Sequence, residues 1–335
     1  MNSARNSPHL SIPVAHGCGS RNFFSTGSSR SDEHDAGAVD SGALEVKQAP
    51  LESLRKPPTP EKTQRLILST SLDPASTMTA LLEGGLRKGE RPVGQIAASS
   101  LLAGSYLTFG GMMMLTVAGG STELLSAAPG LHSLAGALVF PVGLALITLT
   151  GTDLFTSNVM FTSLPFLSQP EKFEENREAF VKVCGVSYLA NFASSLAMAY
   201  CCASMFQPGA VAHPFLMGLA AKKCSLPFMT AVAKATGANW LVNLAVYGAA
   251  SSLSTPGKLL AVWLPITTFV TLGLEHSIAN MFLIPLAIFA GSPITFTEFM
   301  INNLAPVTVG NMIGAIGFVS MFQWYALVPN KNCRK

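Results

Sequence analysis

Six long apolar segments run through this chain, at about 93–119, 133–167, 179–206, 227–251, 258–290 and 304–328. A helix needs roughly 20 apolar residues to cross a bilayer, so the pattern predicts membrane-spanning helices. The second and fifth segments are too long for one straight span and too short for two. Each also carries a polar interruption in its middle, Gly151-Thr152-Asp153 in one and Leu274-Glu275-His276 in the other. Such a pattern predicts a broken helix whose free backbone lines a cavity. Ahead of the spans, Asp73 can cap a helix with Pro74 at its first position. Met78, Leu81, Leu82 and Leu86 follow at about helical spacing, with Arg87, Lys88 and Arg91 behind them. This stretch predicts a short amphipathic helix lying on the membrane surface.

The two interruptions repeat one another. Gly151, Asp153 and Asn158 have the same spacing as Gly273, Glu275 and Asn280, and the next segment of each half carries an Asn among apolar residues, Asn191 and Asn311. Three spans repeated twice run in opposite directions, because three is odd. The expected fold is therefore an all-α polytopic membrane protein of six transmembrane helices. They form an inverted 3+3 repeat with broken second and fifth helices, an aquaporin-like protomer. The aquaporins themselves need two Asn-Pro-Ala caps, and that tripeptide is absent.

Composition sharpens the division of the chain. Only 12% of the 335 residues are charged, against about 25% in an ordinary soluble domain, and mean hydropathy is +0.41. Of the 39 Asp, Glu, Lys and Arg residues, 21 lie in the first 92 positions. That excludes a soluble enzyme with one globular core. The layout expected is a tail and linker at 1–65, an interfacial helix with a basic lead-in at 66–92, a six-span membrane domain at 93–328 and a short basic tail at 329–335. Residues 1–30 hold three arginines, seven serines and no acid, the composition of a transit peptide. Pro8, Pro13, Gly17 and Gly19 interrupt any long amphipathic helix there, which favours a plastid over a mitochondrion. A disordered cytoplasmic tail is the alternative. A net charge of +3 gives no reason to expect nucleic acid. The six cysteines show no metal-like spacing and read as packing residues, so neither a metal nor a cofactor is expected. Loop lysines and arginines place both termini on the cytoplasmic or stromal side, with Lys222 and Lys223 as exceptions to the rule.

An ionisable residue at membrane depth is costly and is a functional candidate by default. Asp153, Glu275 and His276 qualify. The two acids have a structural alternative, capping the amides freed by each helix break. His276 can donate to an anion or pass it a proton. Thr156 and Ser157 offer hydroxyls to a small anion or to local backbone. Phe140, Leu144, Leu154, Phe155 and Phe269 are bulky apolar neighbours that line a pore or simply pack.

These motifs resemble one family, the formate–nitrite transporters, from about Asp73 to Tyr325. The resemblance rests on Thr150-Gly-Thr-Asp-Leu-Phe-Thr-Ser-Asn158, Ala238-Asn-Trp-Leu-Val242, Gly273-Leu-Glu-His-Ser-Ile-Ala-Asn-Met-Phe282 and Asn303-Leu-Ala-Pro-Val-Thr-Val-Gly-Asn311. Ser254-Thr-Pro-Gly257 and the fifth segment look most like the algal plastid-envelope branch, which handles nitrite or bicarbonate. The resemblance implies a homopentamer with one pore per protomer, moving a small monovalent anion or weak acid together with protons. It implies an inner constriction of Leu144, Leu154 and Phe155 and an outer one of Phe140, Val242 and Phe269, with His276 and Thr156 in the chamber between. It further implies that Glu275 and Asn239 hold or tune the histidine and that Lys223 gathers anions in the outer vestibule. Thr152, Thr230, Asn243 and Ala305 depart from the family pattern. A plastid envelope inner membrane is the expected location, with the plasma membrane as alternative. A non-conducting scaffold on the same fold is the alternative function.

Overall fold

The computed structural model describes residues 70–206 and 212–328. The transit-peptide-like tail at 1–65 and the basic tail at 329–335 lie outside the described residues. The regular structure of those described is helical apart from one antiparallel bridge between Ser71 and Ser252, and they fall in one compact unit, Pro58–Lys335.

Helix α1 (Pro74–Glu90) starts where the capping signal places it. The Asp73 carboxylate accepts the Ser76 backbone N–H at 3.0 Å and the Ser76 hydroxyl at 2.6 Å. Met78 and Leu81 form the expected apolar stripe, but both are buried within the protein. A Cβ at Gly85 would collide with the backbone carbonyl of Phe161, so this glycine lets α1 press onto the chain beneath it. Met78 and Leu81 of the stripe are thus covered by the protein's own chain, while Leu82 and Leu86 are only partly buried.

Helix α2 (Val93–Gly119) is followed by the short α3 (Thr122–Ala127), then α4 (Pro129–Val139) and α5 (Val142–Thr150). Phe140 and Pro141 join α4 to α5 in helical conformation. Pro141 has no N–H to give the ladder, which accounts for an interruption the hydropathy pattern does not reveal. After a break come α6 (Phe155–Ser168), α7 (Phe173–Cys201), α8 (Ala212–Cys224) and α9 (Phe228–Ser251). Helix α10 (Thr255–Thr271) is separated by the second break from α11 (Ser277–Phe289). A last helix of mixed α and π winding, α12, runs over Phe296–Leu327.

Among the described residues four helical stretches are long and apolar enough to cross a membrane: Val93–Gly119, Pro129–Thr150, Pro170–Ser204 and Phe296–Leu327. A fifth is added if α8 and α9, bent by 110° at their junction, count as one span. The fifth apolar segment is split into helices of 17 and 13 residues, each short of the roughly 20 a span requires. Cys184, Cys201, Cys202 and Cys224 are all free thiols.

Both breaks use the same devices. Gly151 and Gly273 sit at φ 69° and 60°, a left-handed conformation that ends α5 and α10 and that glycine adopts without a Cβ penalty. The Asn191 amide oxygen accepts the Phe155 N–H at 2.8 Å, while its nitrogen donates to the carbonyls of Ser100 (2.7 Å) and Asp153 (3.1 Å). At the other break, the Asn311 oxygen accepts the Ser277 N–H at 2.8 Å. Its nitrogen donates to the carbonyls of Ala235 (2.8 Å) and Glu275 (3.0 Å). The capping alternative for Asp153 and Glu275 is therefore corrected: the freed amides are held by these asparagines. Asp153 pairs instead with Lys88 and, at 2.5 Å, with Arg91, since a buried charge needs a countercharge more than an amide needs an anion.

The motif's own asparagines diverge. Asn280 donates to Glu275 and to Asn303, both at 2.8 Å. Asn158 is equally buried, and neither polar atom of its side chain has a hydrogen-bond partner.

Candidate functional site

The two breaks bring residues 120 positions apart into contact. The His276 ring lies buried at the start of α11, and its Nδ1 accepts the Ala279 backbone N–H at 3.2 Å. With Nδ1 occupied as an acceptor, the neutral ring carries its proton on Nε2. Nε2 is 3.0 Å from Thr156 Oγ1 and so donates to it. Thr156 then accepts from the imidazole and keeps its own hydroxyl proton for another acceptor. A positively charged imidazole would need a proton on Nδ1 and would forfeit the cap on Ala279.

A narrow cavity opens against the His276 ring; Thr156 lies behind it and does not line the wall. The cavity is lined by Leu107, Phe140, Leu144, Leu154, Val242, Ile266, Phe269 and His276. The Phe140 and Phe269 rings meet edge-on with centroids 5.8 Å apart, and Phe269 lies 6.0 Å from the imidazole. His276 is the one residue of the lining that is not a hydrocarbon, and both its ring nitrogens are engaged, with Thr156 and Ala279.

Of the constriction residues expected, Phe140, Leu144, Leu154, Val242 and Phe269 come together here. Phe155 does not line the cavity; its ring packs edge-on against Tyr188 at 4.8 Å. Ser157 Oγ is buried without a partner. Asn239 serves Thr156 rather than the histidine, donating to the Thr156 carbonyl at 3.1 Å and the Asn311 carbonyl at 2.6 Å. Asn243, one turn further along α9, donates to the same Thr156 carbonyl at 3.3 Å. Leu107 and Ile266 escaped sequence reading because nothing separates them from other span aliphatics.

Glu275 is also placed differently from expectation. Both its oxygens lie 3.1 Å from the Lys223 ammonium, and it accepts from Asn280 and, at 3.4 Å, from Asn303. No bond joins it to His276. Lys223 is only 9% exposed, so the lysine that breaks the loop-charge rule neutralises the buried acid of the second break. It is not a free cation at the mouth. A different lysine went unread. Lys234, the one charged residue of the 24-residue α9, donates to the Gly273 carbonyl at 3.0 Å. Its signal was available: a lone charge inside an apolar segment. Among the described residues no three His, Cys, Asp or Glu side chains are grouped to hold a metal ion.

Comparison with known proteins accords with this architecture. The family pattern described as formate/nitrite transporter matches residues 75–325. A probable formate transporter of Methanothermobacter thermautotrophicus is 37% identical over 273 residues, covering 77% of this chain and 97% of the relative. The formate channel BtFdhC of Bacillus thuringiensis is 30% identical, with 77% and 96% covered. Among solved structures, a pentameric formate channel with formate bound superposes with a TM-score of 0.62 at 28% identity, over 70% of this chain and 97% of that one. An FNT family ion channel gives a TM-score of 0.66 at 26% identity, over 75% and 98%. The apolar helices, the paired breaks and these matches together place the chain in the formate/nitrite transporter family, as an integral multi-pass membrane protein.

Proposed function

We propose that this protein carries a small monovalent anion of the formate, nitrite or bicarbonate class across a membrane as its neutral acid, through the His276 cavity. The observation that carries this reading is the buried His276–Thr156 hydrogen bond at the edge of a hydrocarbon-walled passage. A bare anion loses its hydration there and meets no charge to replace it, whereas a neutral acid loses far less. The Thr156 hydroxyl, oriented by the imidazole Nε2–H, is a donor for the acid's acceptor oxygen. The tautomer favours His276 as a fixed hydrogen-bond donor, with the acid's proton coming from water. The formate relatives support the anion class.

Six spans in an inverted 3+3 repeat are part of the same reading. The identical bonding of Asn191 and Asn311 supports it, as does the match of each break's glycine and acid. The solved pentameric relative supports a homopentamer. The composition of residues 1–30 and the Ser254–Gly257 stretch support a plastid envelope inner membrane and a nitrite or bicarbonate substrate. The domain layout is proposed with the boundaries given above.

The test is anion flux into liposomes holding the full chain, with formate, nitrite and bicarbonate offered in parallel between about pH 5 and pH 8. Flux should rise as pH falls, because the neutral fraction rises. Thr156→Val should lower it about tenfold, the worth of one buried hydrogen bond. Flux independent of pH would remove the neutral-acid step. No flux for any anion from intact oligomers would favour a scaffold. Residues 1–65 fused to a fluorescent protein should accumulate at plastids, and a diffuse cytosolic signal would sink that location.

A further inference from the structure

We propose that Asn243 is a positioning residue for transport, holding Thr156, and through it the His276 ring, at the cavity wall. This rests on the anion-transport reading above and names what sets the geometry of its site.

Thr156 belongs to the first turn of α6, and its hydroxyl meets His276 Nε2 at 3.0 Å. Its backbone carbonyl receives two side-chain donors from α9, Asn239 Nδ2 at 3.1 Å and Asn243 Nδ2 at 3.3 Å. Each amide has a second anchor. Asn243 also donates to the Asn239 carbonyl at 2.8 Å, and Asn239 to the Asn311 carbonyl at 2.6 Å. Asn311 in turn holds the Ser277 N–H and the Glu275 carbonyl, the backbone on either side of His276. The two ends of the Thr156–His276 bond come from different breaks, yet both are mounted on one bracket of amides carried by α9. Asn243 closes that bracket from the Thr156 side.

The bracket is kept at a cost. Asn239 and Asn243 are wholly buried, and the Oδ1 of each has no hydrogen-bond partner. The four bonds their amides make all go to carbonyls, so both side chains serve as donors alone. An aliphatic residue at 243 would spare the unmet acceptor but would leave the Thr156 carbonyl with one side-chain tether.

Packing alone is the competing account. Asn243→Ser and Asn243→Thr separate the two. On a helix either hydroxyl reaches the carbonyl four residues back, but it is too short to reach Thr156. Threonine also nearly matches asparagine in volume, so the test survives if the serine variant folds poorly. Flux in liposomes is measured for the wild-type full chain, both variants, Thr156→Val and the double variants, across anion concentration. Positioning predicts that each Asn243 variant lowers maximal flux about three- to fivefold, with the half-saturating concentration within about twofold of wild type. In the Thr156→Val background no hydroxyl is left to place, and the same substitutions should change flux by less than about twofold. An equal loss in both backgrounds, or no loss in either, would overturn the proposal.

A readout independent of transport is the nitrogen resonance of His276 Nε2 in oligomers labelled with heavy-nitrogen histidine, assigned by its loss in His276→Gln. It should move in Asn243→Thr towards its place in Thr156→Val. If wild type carries none of the three anions, the transport reading fails, and the hold of Asn243 on His276 is decided by this shift. A resonance that moves in Thr156→Val but stays in place in Asn243→Thr would sink it.

Discussion

Lys223 illustrates how a single residue's environment decides its job. In the sequence it is an out-of-place charge, and in the structure it is one half of a buried ion pair with Glu275. Removing one partner of such a pair leaves an uncompensated buried charge, at a cost of about 3–5 kcal/mol. Lys223→Gln should therefore lower the melting temperature of the purified protein markedly, and adding Glu275→Gln should recover most of the loss. A Lys223→Gln protein that melts like wild type would mean the pair is not formed. His276 behaves differently. It was legible as an ionisable group at membrane depth, and the structure adds its tautomer through the Ala279 cap and its partner Thr156. Asp153 was legible as a helix-break acid, but its Lys88 and Arg91 partners come from the chain before the first span, too far along the sequence for any spacing rule to name.

At the scale of elements, each helix break depends on one glycine and one distant asparagine. Asn191→Ala and Asn311→Ala remove equivalent sets of bonds and each take the side-chain partner from one N–H and one carbonyl at the break. Each unmet buried group costs about 1–3 kcal/mol. Both variants should lose folded protein to a similar degree, measured as the monodisperse fraction after purification. Clear tolerance of one but not the other would show that the two breaks are not mechanically alike. Gly151→Ala and Gly273→Ala meet open space, so their cost is backbone strain alone, about 1–2 kcal/mol. Gly85→Ala strikes the Phe161 carbonyl and should instead loosen α1 from its seat, seen as faster proteolysis there. Helix α1 also carries a pH response. The Ser76 hydroxyl and N–H hold the Asp73 carboxyl below its usual value of 3.8. A depressed pKa gives stability that is present above the unfolded value and lost as pH falls through the folded one. Protection of α1 from hydrogen exchange should therefore fall below about pH 4, and Asp73→Asn should flatten that response.

For the whole molecule, the outward faces carry large apolar side chains such as Leu189, Met229, Leu260 and Leu264, all more than 60% exposed in the single chain. Lipid and neighbouring protomers are the two surfaces able to cover them. In the homopentamer proposed above, native mass spectrometry of the full chain in mild detergent should give five copies. A stable monomer with full flux would show that the assembly contributes nothing to the pore. The two breaks differ in what they bring to the cavity. Where the second break offers His276 to the cavity, the first offers Leu154.

The sequence by itself determined the helical membrane character, the two breaks with their glycines and acids, and the histidine of the cavity. These are consequences of composition, periodicity and local backbone chemistry, which act within a turn or two of the chain. Only the tertiary structure decided which buried polar group answers which. Thr156 and His276 are 120 positions apart, Lys223 and Glu275 are 52 apart, and Asp153 meets Lys88 across 65. Those pairings follow from how the helices pack. The same packing covered Met78 and Leu81 of α1, moved Phe155 off the cavity wall, and left Lys234 as the cation beside Gly273.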